Sequence, residues 1–188
     1  YNGLYVIALN SQVEPLTNPL VKQAMSLAID RQLIIDELWN GQGIVPTQPA
    51  VSTDFGYDDS LPPLAYDPDA ARALLEEAGY DGTPVVLETT SGYLANDLTM
   101  SEAITAMWQD VGLTVDLSVI EVSVRAEKNT NKAFLGGWWS DPTSTLSDPD
   151  GMMWRLIGPG GSQDYWRHEE FDRLGAEARA SLDPELRA

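Results

Sequence analysis

Apolar positions change their period several times along this chain, and each change marks an element. Leu4-Tyr-Val-Ile-Ala-Leu9 is an unbroken apolar run of strand length, ended by Asn10-Ser11, which predicts a buried strand. Leu20, Val21, Ala24, Met25, Ala28 and Ile29 then recur at helical steps as one stripe. Asn18-Pro19 provides the entry, a capping side chain followed by a proline whose missing N–H is not needed in the first turn. Asp30 opens a second helix that buries Leu33, Ile34 and Leu38 and stops at Asn40-Gly41. Residues 41–67 lose periodicity and are rich in proline and glycine, the pattern of a long ordered loop. Asp67-Pro68 repeats the capped entry for a third helix with Ala71, Leu74, Leu75 and Ala78 inward and Gly79 at its end.

A strand is predicted over 84–90 and a helix over about 95–111, with Met100, Ala103, Ile104, Met107, Trp108 and Val111 in one apolar line. Gly112 ends that helix, and alternation over 113–120 puts Leu113, Val115, Leu117 and Val119 on one face of a strand. Residues 121–132 read as a solvated helix, 151–157 as a short one, and 169–180 as a last amphipathic one. Strands alternating with helices predict an α/β lobe with a mixed or parallel β-sheet flanked by helices. No repeat or low-complexity segment divides it, so residues 1–188 are expected to form a single lobe.

Phe134-Leu-Gly-Gly-Trp-Trp139 organises the rest. It reads as a short aromatic strand that runs into the polar, proline-broken, acidic stretch Ser140 to Asp150. Gly136 and Gly137 weaken a strand unless another backbone must approach closely. The period of two sends Trp138 and Trp139 to opposite faces, one for the core and one for a wall. Asp141 then sets a carboxylate just beyond that wall, at a rim where low dielectric strengthens its attraction for a cation. In open α/β sheets ligands sit outside the carboxyl ends of strands, and the turns after Thr90 and after Trp139 are two such ends. Ser91, Tyr93, Trp138 and Asp141 are therefore candidate ligand-binding residues of one cleft, with Trp139 packing on the core or hinge side.

Composition narrows the function classes. The 188 residues are 43% hydrophobic, with no apolar run near the length a membrane span needs. The excess of 29 acids over 11 bases, a net charge of −18, leaves no basic stripe for phosphates and excludes nucleic acid as a partner. Without cysteine there is no disulfide, thiolate nucleophile or cysteine-ligated metal. His168-Glu-Glu-Phe-Asp172 begins like a zinc-protease pattern, but the chain holds one histidine, so that pattern and a Ser-His-Asp triad both fail. Gly158-Pro-Gly-Gly161 is a turn, not a phosphate cradle, and Asp148-Pro-Asp150-Gly starts a calcium loop only to meet Met152 at the next ligand position. The rival reading is an acid-pair carbohydrate-active enzyme in which Trp138 is a sugar platform and Asp141 a general acid or base, although spacing picks no pair out among 29 acids. No cofactor, metal or catalytic residue is implied.

Four segments together resemble a known family. Gly137-Trp138-x-x-Asp141 with its acidic loop, Gln23-Ala24-Met25-Ser-Leu-Ala28-Ile29-Asp30-Arg31, Tyr66-Asp67-Pro68 through Glu-Ala78-Gly79-Tyr80, and Glu170-Phe171-Asp172-Arg-Leu174 are similar, in order and spacing, to motifs of the family 5 extracellular solute-binding proteins. These are the dipeptide- and oligopeptide-binding components of bacterial ABC importers. The resemblance implies a periplasmic-binding-protein-like lobe (type II, cluster C) that starts near the hinge at Tyr1 and stops at Ala188 inside a further helix, the other lobe lying elsewhere. It implies an extracytoplasmic monomer, periplasmic or held at the cell surface by a lipid, that closes on a peptide or oligosaccharide and meets membrane permease subunits. In peptide-binding relatives the aspartate at Asp141 pairs with the peptide ammonium and the tryptophan at Trp138 packs beside it. The Ser91-Gly92-Tyr93 turn departs from dipeptide binders, which carry there an arginine that clamps the ligand carboxylate.

Overall fold

A computed structural model describes residues 4–50, 52–140, 148 and 150–187. The chain groups into two compact units, one formed by Ile7–Val45 and Pro63–Trp139, the other by the described parts of 1–6, 46–62 and 140–188. No compositional break along the chain marks that division.

The first unit is the α/β body. Its strands are β1 (Val6–Leu9), β2 (Val85–Thr89), β3 (Val115–Val119) and β4 (Gly137–Ser140), and they form a mixed sheet in the order β1-β4-β2-β3. β2 runs parallel to β3, with Val85 opposite Val115 and Thr89 opposite Val119, and parallel to β4, with Leu87 opposite Gly137. Helices α1 (Pro19–Leu27), α2 (Arg31–Trp39), α3 (Pro68–Glu77), α4 (Asp97–Asp110) and α5 (Val122–Asn131) surround it. β4 begins three residues later than the apolar run suggests and extends to Ser140.

The caps are where local chemistry places them. Asn18 accepts from Leu20 N–H at 2.9 Å, Asp30 from Leu33 N–H at 2.9 Å, and Asp67 from Ala70 N–H at 2.9 Å, each satisfying an amide that has no partner in the first turn. Asn40 ends α2 in the left-handed conformation. Asp67→Ala is expected to lower stability by about 1 kcal/mol, the usual worth of such a cap, and urea unfolding would show it as an earlier midpoint with an unchanged slope.

The core joins the stripes of α1, α3 and α4 to one face of the sheet. Val21, Ala24, Met25, Ala71, Leu75, Val85, Leu87, Met100, Ile104, Trp108 and Trp139 are all buried in it. Trp108 is closed in completely because its indole N–H donates to Met25 O at 2.9 Å, giving the polar end of the ring a partner. Three expectations fail at the margins, the first at β1, which is half-buried along its length where its apolar run predicts a buried strand. Leu33 is 46% exposed, since α2 rests on the core only through Ile34, Leu38 and Trp39, and Val119 is 56% exposed because β3 is the edge strand and its last residue outruns the covering helices.

In the second unit a π-helical turn (Asp150–Trp154) leads into the single turn α6 (Arg155–Ile157), followed by α7 (Glu169–Ala180) and α8 (Pro184–Arg187). Trp154 lies against α7 at Gly175, where a Cβ would come within 1.9 Å of the indole. Asp150 pairs with Arg179 at 2.7 Å and Asp148 with Arg187 at 2.5 Å, so the two acids that open the calcium-like motif serve as helix tethers.

Candidate functional site

The parallel strands β2, β3 and β4 all point their carboxyl ends the same way, and the segments that follow β2 and β3 are tied to the end of β4.

The turn after β2 is held by one carboxylate. Asp97, the first residue of α4, is 2% exposed. It accepts from Thr90 Oγ1 at 2.5 Å and from the backbone N–H groups of Tyr93 (2.9 Å), Gly92 (3.1 Å), Leu94 (3.2 Å) and Leu98 (2.9 Å). Burial by itself raises the pKa of this carboxyl, but the hydrogen bonds from Thr90, Leu94, Gly92 and Leu98 outweigh it and hold the group below its ordinary value. Gly92 takes φ +116°, a conformation side chains disfavour, and so lets three successive amides turn inward onto one acid. Ser91 is left exposed and Tyr93 half-buried.

α5 follows β3 and brings Arg125 to the same edge. Its guanidinium carbon lies 3.4 Å from the centre of the Tyr93 ring, a cation–π stack, and its Nη2 donates to Trp139 O at 2.8 Å at the end of β4. One side chain therefore links the segments after β2 and β3 to the end of β4. α5 is itself fastened by a buried ion pair: Lys128 Nζ lies 2.6 Å from Glu88 Oε1 in β2, while Glu88 Oε2 accepts from Leu135 N–H at 2.7 Å, ahead of β4.

β4 comes close to its neighbours because it has no side chains at its start. A Cβ on Gly136 would sit 2.2 Å from Val86 O, and one on Gly137 would press on Ile7 and Leu9 at 3.2 and 3.3 Å, the close approach that the glycine pair implies. Trp138 and Trp139 are 1% and 5% exposed. Trp138 stacks on Phe134 with centroids 4.3 Å apart and planes 2° from parallel. Trp139 turns to the core side and donates from Nε1 to Ser101 Oγ at 2.7 Å, which also lies 2.8 Å from Thr89 Oγ1.

Of the residues singled out by sequence, Tyr93 and the backbone of Trp139 are brought together through Arg125, and Ser91 stands on the adjoining turn. Both indoles are inside, so neither Trp138 nor Trp139 offers its ring as a surface. Asp141 lies outside the described residues. Asp97, Arg125 and Glu88 have no mark in the sequence beyond Asp97 following a glycine turn at a helix start. Arg125 belongs to a helix with no buried residue, which by pattern is only a solvated face.

The model of the bacterial extracellular solute-binding proteins, family 5, matches residues 1–164. Heme-binding protein A of Haemophilus influenzae is 30% identical over 97% of this chain and 35% of its own length. The dipeptide-binding protein of Escherichia coli is 29% identical over 94% of this chain and 35% of its own. The structure of HbpA2 from Haemophilus parasuis superposes with a TM-score of 0.88 at 28% identity, over 99% of this chain and 38% of that one. The chain thus spans about a third of the length of the relatives it matches. With the family model matching most of its residues and a solved relative superposing on nearly all of it, the chain belongs to the bacterial extracellular solute-binding proteins of family 5.

Proposed function

We propose that this chain is a ligand-gripping lobe of an importer's solute-binding protein, which captures a peptide by hinge closure of two lobes outside the cytoplasm and hands it to a membrane permease. The observation that carries this is the family match over residues 1–164. The convergence of the segments after β2 and β3 on the end of β4 supports it, because open α/β sheets place their ligands at that edge. Relatives that bear the name dipeptide-binding protein, in Escherichia coli and Pseudomonas aeruginosa, favour a peptide as the solute. In this account Asp141 pairs with the peptide ammonium, and Tyr93 and Ser91 line the rim. Trp138 and Trp139 act from behind, holding β4 in place. The work is binding and release, with no covalent chemistry.

Native mass spectrometry of the full-length protein purified without refolding, with and without Asp141→Ala, tests this. A retained mass matching a peptide and lost in the variant is the expected result. A neutral sugar retained by both proteins, or turnover of an oligosaccharide into shorter products, would overturn the peptide assignment. Charge makes the comparison decisive, because an ammonium ligand loses its partner with Asp141 and a neutral sugar does not.

A further inference from the structure

We propose that Asn40-Gly41, at the end of α2, is a self-modification site: the asparagine side chain loses ammonia to become aspartate or isoaspartate, and the last turn of α2 sets the rate. The inference is independent of the solute-binding reading above.

The chemistry belongs to the residue pair. The Gly41 backbone nitrogen gives up its proton and attacks Asn40 Cγ. A bond forms between them, the Cγ–Nδ2 bond breaks, and ammonia leaves carrying that proton. Water then adds to either carbonyl of the cyclic imide and opens it. One opening gives aspartate; the other gives isoaspartate, in which the main chain runs through the former side chain. No oxidant or cofactor takes part. A side chain on the attacking residue hinders the step, and glycine has none. Among the described residues Asn40 is the asparagine followed by glycine; the others precede serine, proline, aspartate, threonine or lysine.

The fold decides when the step occurs. Asn40 is exposed, in the left-handed conformation with φ 52° and ψ 39°, and Gly41 follows at φ 72°. In that arrangement Gly41 N–H donates to Ile35 O at 3.2 Å, so the attacking nitrogen is engaged while the turn is closed. An amide held in this way surrenders its proton only when the turn opens. α2 has no fully buried residue and rests on the core only through Ile34, Leu38 and Trp39, so its end is a segment of low local stability.

The product does not refit the turn. The new carboxylate stands four residues after Asp36, on the same helix face, and at the negative end of the helix dipole; both are unfavourable for an anion. The isoaspartyl link also adds a main-chain atom between the helix and Gly41, which displaces the amide that bonds Ile35 O. Modification therefore runs one way, and it loosens the hold of Leu38 and Trp39 on the core.

The test ages the full-length protein in mildly alkaline buffer beside a synthetic peptide of residues 35–46. Peptide mapping reads isoaspartate at residue 40 and separates it from the Asn2-Gly3 pair. Wild type is expected to react about tenfold more slowly than the peptide, the protection of a marginally stable turn. Asp30→Ala, which removes the cap on Leu33 N–H, is expected to react about fivefold faster than wild type. Amide hydrogen exchange at Gly41 in wild type measures the same opening directly, so the proposal stays testable where Asp30→Ala fails to fold. Asn40→Gly suits the left-handed position and has no amide to lose, so its melting temperature holds on ageing while that of wild type falls. Absence of isoaspartate at residue 40 in wild type, when the peptide forms it, overturns the site. A wild-type rate equal to that of the peptide, or one unmoved by faster exchange at Gly41, overturns control by α2.

Discussion

Asp97→Ala is expected to cost about 3 kcal/mol, because it strands several inward-turned amides and a buried hydroxyl at once. The carboxylate is the common acceptor of Thr90, Gly92, Tyr93, Leu94 and Leu98. Water can reach some of the freed amides at this half-buried turn, which keeps the loss below the sum of the bonds. Loss of the turn also frees Tyr93, the platform under Arg125. The same carboxylate sets an acid limit. Its folded-state pKa lies below the unfolded value of about 3.9, so between the two the unfolded chain binds the extra proton and stability rises with pH. The contribution is complete above about pH 4 and is lost as pH falls below that value through the folded pKa. Urea unfolding as a function of pH should therefore show a steeper acid decline in wild type than in Asp97→Asn, which has no proton to take up. Parallel declines would remove Asp97 from the account of that turn.

The second large effect is at Glu88. Glu88→Ala is expected to cost about 3 kcal/mol, the lower end for breaking a buried ion pair, because Lys128 retains some access to water. Two losses combine: the Lys128 ammonium loses its counterion, and the Leu135 amide loses the acceptor that fixes the chain before β4. Glu88→Gln separates them, since its carbonyl oxygen can still accept from Leu135 while the charge is gone. A Glu88→Met, Lys128→Met double variant should recover most of the loss, as apolar replacements of buried pairs commonly do. Equal stability of wild type and Glu88→Ala would mean that α5 is held to the sheet without this pair.

These sites show how much was legible along the chain. The helix ends were, because capping is decided within a few residues: Asn18-Pro19, Asp30, Asn40-Gly41 and Asp67-Pro68 each act on amides three or fewer positions away or on their own backbone conformation. The α/β class was legible too, since the alternation of strand and helix periods is a linear signal. So was the crowding at Gly136, because a glycine pair in an aromatic strand has few other reasons to exist.

What only the tertiary structure decided are the contacts between residues far apart in sequence. Which face of β4 is outside had no sequence answer, and both indoles turn out to be enclosed, Trp138 by Phe134 and Trp139 by the core and Ser101. Arg125, on a helix whose sequence reads as solvated, becomes a joint between three strand ends because β2, β3 and β4 lie side by side and parallel. The physical reason is range. Periodicity and capping are fixed by neighbours along the chain, whereas the partner of a charge or an indole is fixed by the packing of elements whose order in the sheet, β1-β4-β2-β3, is not their order in the sequence.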